Sequence, residues 1–386
     1  MGRRNHIQPL ILEGDPYQRG LIHGESLRQA IAGLLEQWKA RLAEGFGMGA
    51  DEVIHRFLAE TDFPAAIRQH TPDLLEEVRG IAVGAAQPYE TILAFQLLDE
   101  LWASGHVITG GHCTSIGFDP RSGEPAWLAQ NVDVETFRDG YQVVLRVVSP
   151  DSDLEALVLT SAGLIGFNGM NSHGVGLCCN GLLPCNSRLD GLPVACVVRG
   201  VLAQPDLEAA EGFLRRIPHA CGQNYMVAGP QGVIDLECSA NQVTEYRPEE
   251  GDGAIWHANL PLANTDTDQD YRQSLTRDEK SPFRINNETR FQSVAARLEK
   301  AASVPRLGLL KEILASQDPP ENPICSLKTG PAFFAQIGMF TFAATVMELS
   351  ADPALHVTFT PQDAGSYTRL AFNCSSLSRA TGSAPS

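Results

Sequence analysis

Cys113 is the residue of this sequence with the clearest capacity for covalent chemistry. It is the first of nine cysteines, and the residues before it include none. A thiol acts as a nucleophile when a base raises its thiolate fraction and hydrogen-bond donors stabilise the oxyanion formed on the attacked carbonyl. Two arrangements of residues in this chain would meet both needs.

In the first arrangement the chain stays intact and His257 is the base, with Asn259 beside it. The spacing between Cys113 and His257 falls within the range of papain-like thiol hydrolases. Papain-type cysteines begin a helix, however, whereas Cys113 begins a short run typical of a β-strand that ends at Phe118. The local motif of that family around its cysteine is also absent.

In the second arrangement Cys113 is the first residue of a mature chain. Its α-amino group, with an unperturbed pKa of about 8, would then be a base within reach of its own thiol. This arrangement requires cleavage of the bond between His112 and Cys113, by attack of the thiol on the preceding carbonyl. It also explains why a helical segment ends where a series of short strands begins.

Other chemistries have weaker support in the sequence. His106, His112 and Cys113 lie close together, but a fourth ligand at zinc-site spacing is missing. The odd number of cysteines and the lack of a Cys-x-x-Cys motif argue against a disulfide scaffold and a zinc ribbon. Glycine-rich phosphate-binding motifs do not occur either. We therefore expect no metal and no organic cofactor.

Composition and charge narrow the class of protein. The 386 residues are 43% hydrophobic and carry a net charge of −17. Such an acidic surface repels nucleic acid and anionic membranes, and no apolar run approaches the roughly 18 residues of a membrane span. Arg3 and Arg4 are not followed by the apolar segment of a signal peptide. We expect a cytoplasmic protein with neither nucleic-acid nor membrane partners.

The order of the predicted elements favours an α+β fold. Residues 1–112 show mainly helical spacing, with Asp15 and Pro16 at the start of one helix. Short strands joined by turn residues follow Cys113, and helix pairs interrupt them within 192–217 and 284–315. Because the strands cluster instead of alternating with helices one by one, we expect antiparallel sheets faced by helices. The tail from about residue 375 is expected to be disordered.

Several motifs, taken in order, resemble one enzyme family. Gly111–Ile116 and Ala129–Asp133 look like the start of the mature subunit in the acyl-CoA:6-aminopenicillanic acid acyltransferase family. That family belongs to the N-terminal nucleophile hydrolases, related to choloylglycine hydrolase and acid ceramidase. The resemblance covers nearly the whole chain outside the tail. Its other segments are Gly14–Gly24, Leu75–Ala85, Gly166–Val175, Trp256–Asn259 and Asn322–Cys325.

The resemblance implies a four-layer αββα N-terminal nucleophile hydrolase fold and a role for each matching residue. Cys113 would cleave the bond to His112 and then accept the acyl group of the substrate. Asp133 would bind the new α-amino group and orient it against the thiol. Asn259 would donate a hydrogen bond to the oxyanion, and Asn180 resembles a second polar position of the choloylglycine branch.

Three departures from the family pattern concern cleavage and substrate recognition. Gln130 stands where the choloylglycine and ceramidase branches have an arginine beside the thiol, although the penicillin branch resembles this sequence there. Ser326 follows Cys325 where the penicillin enzyme has an arginine, and His112 stands where that enzyme has a glycine. His257 would be a neighbour of the thiol and not its base. Gln130, His257 and Ser326 are the candidate substrate-binding residues.

The resemblance thus implies self-cleavage into a helical leader, 1–112, and a catalytic subunit, 113–386, which stay together as a heterodimer. The catalytic subunit would cleave a linear amide through an acyl-thioester on Cys113, and water or an amine would then take the acyl group. The substrate would be a small N-acyl amide or a peptide, with acyl-CoA as a candidate acyl donor. A papain-like hydrolase and a non-catalytic binding protein on the same fold remain open as alternatives.

Overall fold

The helices and strands of this chain occur in blocks. The computed structural model describes residues 6–104, 113–248, 253–268, 280–300 and 306–372. The helices are α1 (Pro16–Ser26), α2 (Arg28–Phe46), α3 (Ala50–Glu60), α4 (Phe63–His70), α5 (Asp73–Ala85), α6 (Tyr89–Gln96), α7 (Leu98–Ser104), α8 (Val194–Leu202), α9 (Leu207–Arg216), α10 (Pro282–Glu299), α11 (Arg306–Leu314) and α12 (Phe333–Gln336). The strands are β1 (Leu10–Glu13), β2 (Thr114–Phe118), β3 (Ala126–Glu135), β4 (Gln142–Val148), β5 (Glu155–Ser161), β6 (Asn168–Asn171), β7 (Gly176–Gly181), β8 (Gln223–Gly229), β9 (Gly232–Cys238), β10 (Val243–Glu245), β11 (Ala254–His257), β12 (Met339–Leu349), β13 (Ala354–Thr358) and β14 (Thr368–Ala371).

The strands form two sheets. Within the described residues the first sheet has eight strands in the order β1-β4-β5-β6-β7-β8-β9-β10, and the second has six in the order β11-β2-β3-β12-β13-β14. Neighbouring strands are antiparallel except β1, which pairs in parallel with β4. The prediction of antiparallel sheets therefore holds apart from this edge strand. Because β1 comes from the segment before the helices, no hairpin fixes its direction.

Three apolar clusters separate four layers. The first lies between helices α1–α9 and the eight-stranded sheet, and includes Trp38 and Leu177. The second lies between the two sheets, where Leu128 and Met226 are fully buried. The third lies between the six-stranded sheet and helices α10 and α11, and includes Leu310. The predicted α+β class and the αββα order of layers are thus confirmed.

Facing glycines bring α1 and α5 into unusually close contact. Gly20 and Gly24 of α1 pack against the backbone of α5, and Gly80 and Gly84 of α5 pack against the backbone of α1. A Cβ atom on Gly20 would lie 1.9 Å from the carbonyl oxygen of Glu77, so only glycine permits this approach. The leader motifs that resemble the family therefore have a packing cause.

A buried ion cluster joins this helix pair to the rest of the chain. Glu77 of α5 accepts hydrogen bonds from Arg199 of α8 at 2.5 and 3.0 Å and from Arg19 of α1 at 3.3 Å. Burial alone would raise the pKa of Glu77, but the two arginines hold it below its usual value. His23 of α1 also accepts a hydrogen bond from the backbone N–H of Gly163 at 3.0 Å. The helices before residue 105 thus share an apolar core and buried polar contacts with the later part of the chain.

The predicted elements differ from the structure in a few places. Asp15 caps α1 as expected, since its side chain accepts a hydrogen bond from the N–H of Gln18 at 2.8 Å. The long helical stretch after it breaks at Leu27 into α1 and α2. The tail from about residue 375 and the junction before Cys113 lie outside the described residues. Among the described helices, none has the length and apolar character of a membrane span.

The close contact of α1 and α5 gives a direct test. We expect Gly20→Ala to lower the free energy of unfolding by about 1–3 kcal/mol, because the added methyl group must push the helices apart. The measurement is urea unfolding of the full chain followed by circular dichroism.

The control is Gly308→Ala in α11. Gly308 is exposed and its added Cβ atom would meet nothing within 4 Å. Since alanine is the better helix former, this change should raise stability by about 0.5–1 kcal/mol. Equal unfolding midpoints for wild type and Gly20→Ala would contradict the packing argument.

Candidate active site

Three neighbouring strands converge on Cys113. The residue directly precedes β2 and is 6% exposed. On one side β2 pairs with β3, which carries Asp133. On the other side it pairs with β11, where His257 lies opposite Ser115. Continuing that antiparallel register by two residues brings Asn259 beside Cys113.

The Cys113 thiol is protonated in this intact chain. Burial raises its pKa to about 12, and the nearby charge of Asp133 adds to the increase. A hydrogen bond with the backbone of Asp133 and the charge of Arg290 oppose this rise without cancelling it. Because the thiolate is the reactive form, the thiol needs a base or a further cation before it can attack a carbonyl.

The carboxylate of Asp133 is buried and unpaired. The residue is 1% exposed, and neither carboxylate oxygen accepts a hydrogen bond of normal geometry from a described residue. Burial raises its pKa to about 7, and Arg290 and the hydroxyl of Thr341, opposite it on β12, lower the pKa only in part. Since buried polar groups are normally paired, this carboxylate has unused capacity to bind a cation.

Arg290 of α10 links the strand of the thiol to Asn259. Its side chain is fully buried, and Nη1 donates to the carbonyl oxygen of Cys113 at 2.9 Å and to the hydroxyl of Thr114 at 2.8 Å. Nη2 donates to Oδ1 of Asn259 at 2.8 Å, and Nε donates to Oδ1 of Asn286 at 2.9 Å. Burial lowers its pKa to about 10, so the group is still charged at neutral pH.

Arg290 is not among the residues predicted from the sequence, although its helix contains a signal for it. Asn286, Asn287 and Arg290 occupy positions that share one helix face, in an element predicted to pack on a sheet. All three are buried in the structure, and Oδ1 of Asn287 accepts a hydrogen bond from the backbone N–H of Asn259 at 2.7 Å. Polar residues on an inward helix face predict a hydrogen-bond network at that contact.

The side-chain amide of Asn259 is held at both ends. Its Oδ1 accepts from Arg290, and its Nδ2 donates to the carbonyl oxygen of Gly181 at 3.1 Å. A cationic donor on the amide oxygen withdraws electron density from the nitrogen and makes its N–H groups stronger donors. The arrangement is suited to hold one amide N–H in a fixed direction beside Cys113.

His257 is not placed to act as the base of the thiol. Its Nε2 lies 2.8 Å from Oε1 of Glu237, and its Nδ1 lies 3.0 Å from the carbonyl oxygen of Ala258. Burial lowers the pKa of His257, but the hydrogen bond to Glu237, the charges of Asp235 and Glu237 and the carbonyl group of Ala258 together raise it above its usual value. Glu237, which is also absent from the residues predicted from the sequence, accepts hydrogen bonds from the three backbone N–H groups of residues 262–264. The His257–Glu237 pair therefore fixes the loop after Asn259. Because His257 is engaged in this pair, the papain-like hypothesis has no base for the thiol.

Gln130 and Asn180 belong to a polar network between the two sheets. Nε2 of Gln130 donates to Oδ1 of Asn180 at 2.9 Å, and its Oε1 accepts from Nδ2 of Asn168 at 2.7 Å. Nδ2 of Asn180 lies 3.0 Å from both the hydroxyl of Ser115 and the carbonyl oxygen of Ala258. Both ends of each amide are thus engaged, and the network holds β2, β3 and β7 together near the thiol.

Ser326 lies next to the strand that faces Asp133. Its N–H donates to the hydroxyl of Thr341 at 2.8 Å, and the Thr341 N–H donates to the Ser326 carbonyl oxygen at 2.8 Å. Its own hydroxyl is buried and has no hydrogen-bond partner in the described part of the chain. His106 and His112 lie outside that part. Among the residues that are described, no group of three or more His, Cys, Asp and Glu side chains could hold a metal ion.

A cavity of about 60 Å³ adjoins the thiol. Cys113, Gln130 and Asp133 form one part of its wall, and Asp99 and Trp102 of the leader helix α7 form another. The predicted site residues that do not line it are Asn180, His257, Asn259 and Ser326. Helix α7 therefore closes part of the space around Cys113.

Comparisons with known proteins show similarity to one enzyme family. A family model described as acyl-coenzyme A:6-aminopenicillanic acid acyl-transferase matches residues 120–303. The chain is 27% identical over 253 residues to the 40 kDa form of acyl-coenzyme A:6-aminopenicillanic-acid-acyltransferase from Emericella nidulans, which covers 65% of this chain and 69% of that protein. The chain is therefore similar to this acyltransferase family over about half of its length. The matched region contains Asp133, Asn180, Asn259 and Arg290, and it begins after Cys113.

Two solved structures resemble the fold in part. A mutant conjugated bile acid hydrolase from Clostridium perfringens gives a TM-score of 0.41 at 12% identity, over 67% of this chain and 96% of that chain. A penicillin V acylase from Agrobacterium tumefaciens gives a TM-score of 0.39 at 13% identity, over 64% of this chain and 83% of that chain.

The unpaired state of Asp133 predicts a pH-dependent cost in stability. An unfolded aspartate has a pKa of about 4, whereas the folded value is about 7. The cost is therefore absent below about pH 4, grows as the pH rises, and is constant above about pH 7. In an uncut Cys113→Ala chain, adding Asp133→Asn should raise the free energy of unfolding above pH 7 by up to about 4 kcal/mol.

Urea unfolding between pH 4 and pH 8 measures this difference. Asp139→Asn is the control of opposite sign, because the ion pair with Lys328 lowers the pKa of Asp139 overall although burial raises it. Its removal should cost stability at neutral pH and lose its effect in acid. A gain from Asp133→Asn that did not vary with pH would contradict the assignment.

Proposed function

We propose that this chain is a self-processing N-terminal cysteine amidohydrolase or acyltransferase. It acts on a linear amide bond and forms an acyl-thioester on Cys113. The observation that carries this proposal is the buried, unpaired carboxylate of Asp133 next to Cys113. Cleavage before Cys113 would create an α-ammonium group there, and that group would pair with a carboxylate that has no ion-pair partner among the described residues.

The processing step follows from the position of Cys113 at the start of its strand. The thiol attacks the carbonyl carbon of His112, the C–N bond breaks, and the peptide nitrogen takes a proton to become the α-amino group. Water then hydrolyses the thioester, which restores the thiol and leaves a carboxyl terminus on His112. The step needs only water as a second reactant.

After cleavage the leader would stay bound to the catalytic subunit as a heterodimer. Its helices bury Trp38 and many other apolar side chains against the eight-stranded sheet. The ion cluster of Glu77 with Arg199 and Arg19 joins the two parts away from water. Separation would expose this core and leave buried charges without partners, which is strongly unfavourable.

In the working enzyme the α-amine of Cys113 would accept the thiol proton, and the thiolate would attack the acyl carbon of the substrate. One N–H of Asn259 would donate to the oxyanion, with Arg290 holding the amide in position. The amine then leaves with a proton from the α-ammonium group, and a thioester remains on Cys113. Water or a second amine releases the acyl group by the same steps in reverse order.

The substrate class follows from this chemistry and from the family. An N-acyl amide or a peptide supplies the acyl group, and acyl-CoA is a second candidate donor because the family name includes it. The reaction uses no metal or organic cofactor. The acidic composition suits a cytoplasmic enzyme whose partners are small molecules.

Mass spectrometry of the purified protein tests self-processing. We expect a fragment that begins at Cys113 in wild type, and a single intact chain without amidase activity in Cys113→Ala. Cys196→Ala is the matched control, because Cys196 is an equally buried thiol in α8. This control should be cleaved and active.

An intact wild-type chain with full amidase activity would contradict self-processing and favour a thiol hydrolase that stays whole. An intact chain whose ligand binding survives Cys113→Ala would favour a non-catalytic binding protein. Incubation of wild type with octanoyl p-nitroanilide should add one octanoyl group to the fragment that begins at Cys113, which locates the thioester.

The oxyanion role of Asn259 has its own test. We expect Asn259→Ala to lower kcat on octanoyl p-nitroanilide by roughly 10²–10³-fold, since one aligned donor is lost from the transition state. The control Asn186→Ala removes a hydrogen bond to Asp266 and should leave kcat near the wild-type value. A fully active, fully cleaved Asn259→Ala enzyme would remove this assignment.

A further inference from the structure

Arg138 is a buried arginine in the wall of the cavity at Cys113. It ends the short 3-10 turn Thr136–Arg138 that directly follows β3, the strand of Asp133. Its side chain is 4% exposed and lines the same cavity as the thiol. Neither the family motifs nor the proposed mechanism gives it a role.

The contacts of Arg138 hold its guanidinium in one place. Nε donates to Oε2 of Glu135 at 2.8 Å, and the group lies 5.5 Å from the ring centre of Phe137 and 5.8 Å from that of Phe167. Nη1 is buried and has no hydrogen-bond partner among the residues that the structure describes. One edge of a permanently charged, fixed donor group is therefore unsatisfied.

A buried N–H donor without a partner is rare, because it loses its hydrogen bonds to water and gains nothing in return. A guanidinium fits a carboxylate better than other acceptors, since both are planar and oppositely charged. The geometry therefore points to an acidic ligand group in this cavity, within a few ångströms of the acyl-accepting thiol.

The intact chain already places one carboxylate near this guanidinium. Asp99 of the leader lines the cavity, and although burial raises its pKa to about 6, the charge of Arg138 acts in the opposite direction. Two other acids line the cavity, and neither occupies Nη1 of Arg138 in the proposed enzyme. Glu135 pairs with Nε of Arg138, and Asp133 pairs with the new α-ammonium group of Cys113.

We propose that Nη1 of Arg138 binds a carboxylate of the substrate, so the preferred amides of this enzyme carry an acid group close to the scissile bond. The inference rests on the proposed function and names the substrate class of the same site. The acid can belong to the amine half or to the acyl half of the amide, and the experiment separates the two sources.

The test compares matched pairs of substrates that differ only in acid against carboxamide. N-octanoylglycine and N-octanoylglycinamide vary the amine half, whereas glutaryl p-nitroanilide and its terminal amide vary the acyl half. We expect the acid to be preferred in kcat/KM by roughly 10–100-fold in one pair, as for a buried hydrogen bond to a charged group. That pair identifies the half that carries the acid.

Arg138→Met should abolish this preference, and Arg138→Lys should retain part of it. The control is Arg146→Met, because Arg146 is also paired with a glutamate, Glu155, but does not line the cavity. Its ratio of acid to carboxamide should equal that of wild type. A purely structural role of Arg138 would lower activity on both members of a pair and leave the ratio unchanged.

Calorimetric binding of the same four compounds to the wild-type protein keeps the two proposals separate. If no compound is cleaved but the acids bind more tightly than the carboxamides, the proposed function fails and the acid site stands. If the amides are cleaved or bound without preference for the acid in either pair, the role of Arg138 is overturned. This wild-type comparison does not depend on the folding of any variant.

Discussion

The buried cation of Arg290 is the constraint on which the rest of the site depends. A charged guanidinium without solvent is tolerated only where its N–H groups meet acceptors, and these come from β2, from the loop after β11 and from its own helix. The helix layer, the strand of the thiol and the loop of Asn259 must therefore assemble together. Cys113 and Asn259 gain their relative positions from one side chain that touches both. The site is consequently a product of tertiary assembly, not of any local motif.

The buried charge of Asp133 differs from that of Arg290 in its hydrogen bonding. Its carboxylate lies within the packed six-stranded sheet and accepts no hydrogen bond of normal geometry from a described residue, so it lowers stability at neutral pH. The burial of three apolar clusters offsets that loss elsewhere in the fold. The carboxylate of Asp133 lowers the stability of the fold and lies beside the candidate nucleophile. This is what we expect if the carboxylate stays unpaired until the proposed cleavage forms an α-ammonium group next to it.

Local signals in the sequence were sufficient for much of this fold and part of the site. The cap of α1 joins Asp15 to a residue only three positions away. The close-packed glycines of α1 and α5 lie within motifs that can be recognised in the sequence. Arg290 could not be assigned because its acceptor on Cys113 is 177 residues away in sequence. The spacing of Cys113 and His257 matched a thiol hydrolase, but Glu237, on a different strand, engages the histidine instead. Spacing along the chain cannot reveal which of several polar residues will meet across two sheets.

The electrostatics of the intact chain also give a physical reason for the order of events in the proposed mechanism. Before cleavage, the nitrogen of Cys113 is part of a neutral peptide bond, and both burial and the Asp133 charge keep the thiol protonated. Cleavage turns that nitrogen into an amine that can hold a positive charge next to both groups. The same charge pairs with Asp133 and favours the thiolate, so one covalent change removes both obstacles. In the proposed mechanism the unprocessed chain would therefore be inactive for an electrostatic reason, as well as through the residues of α7 that line its cavity.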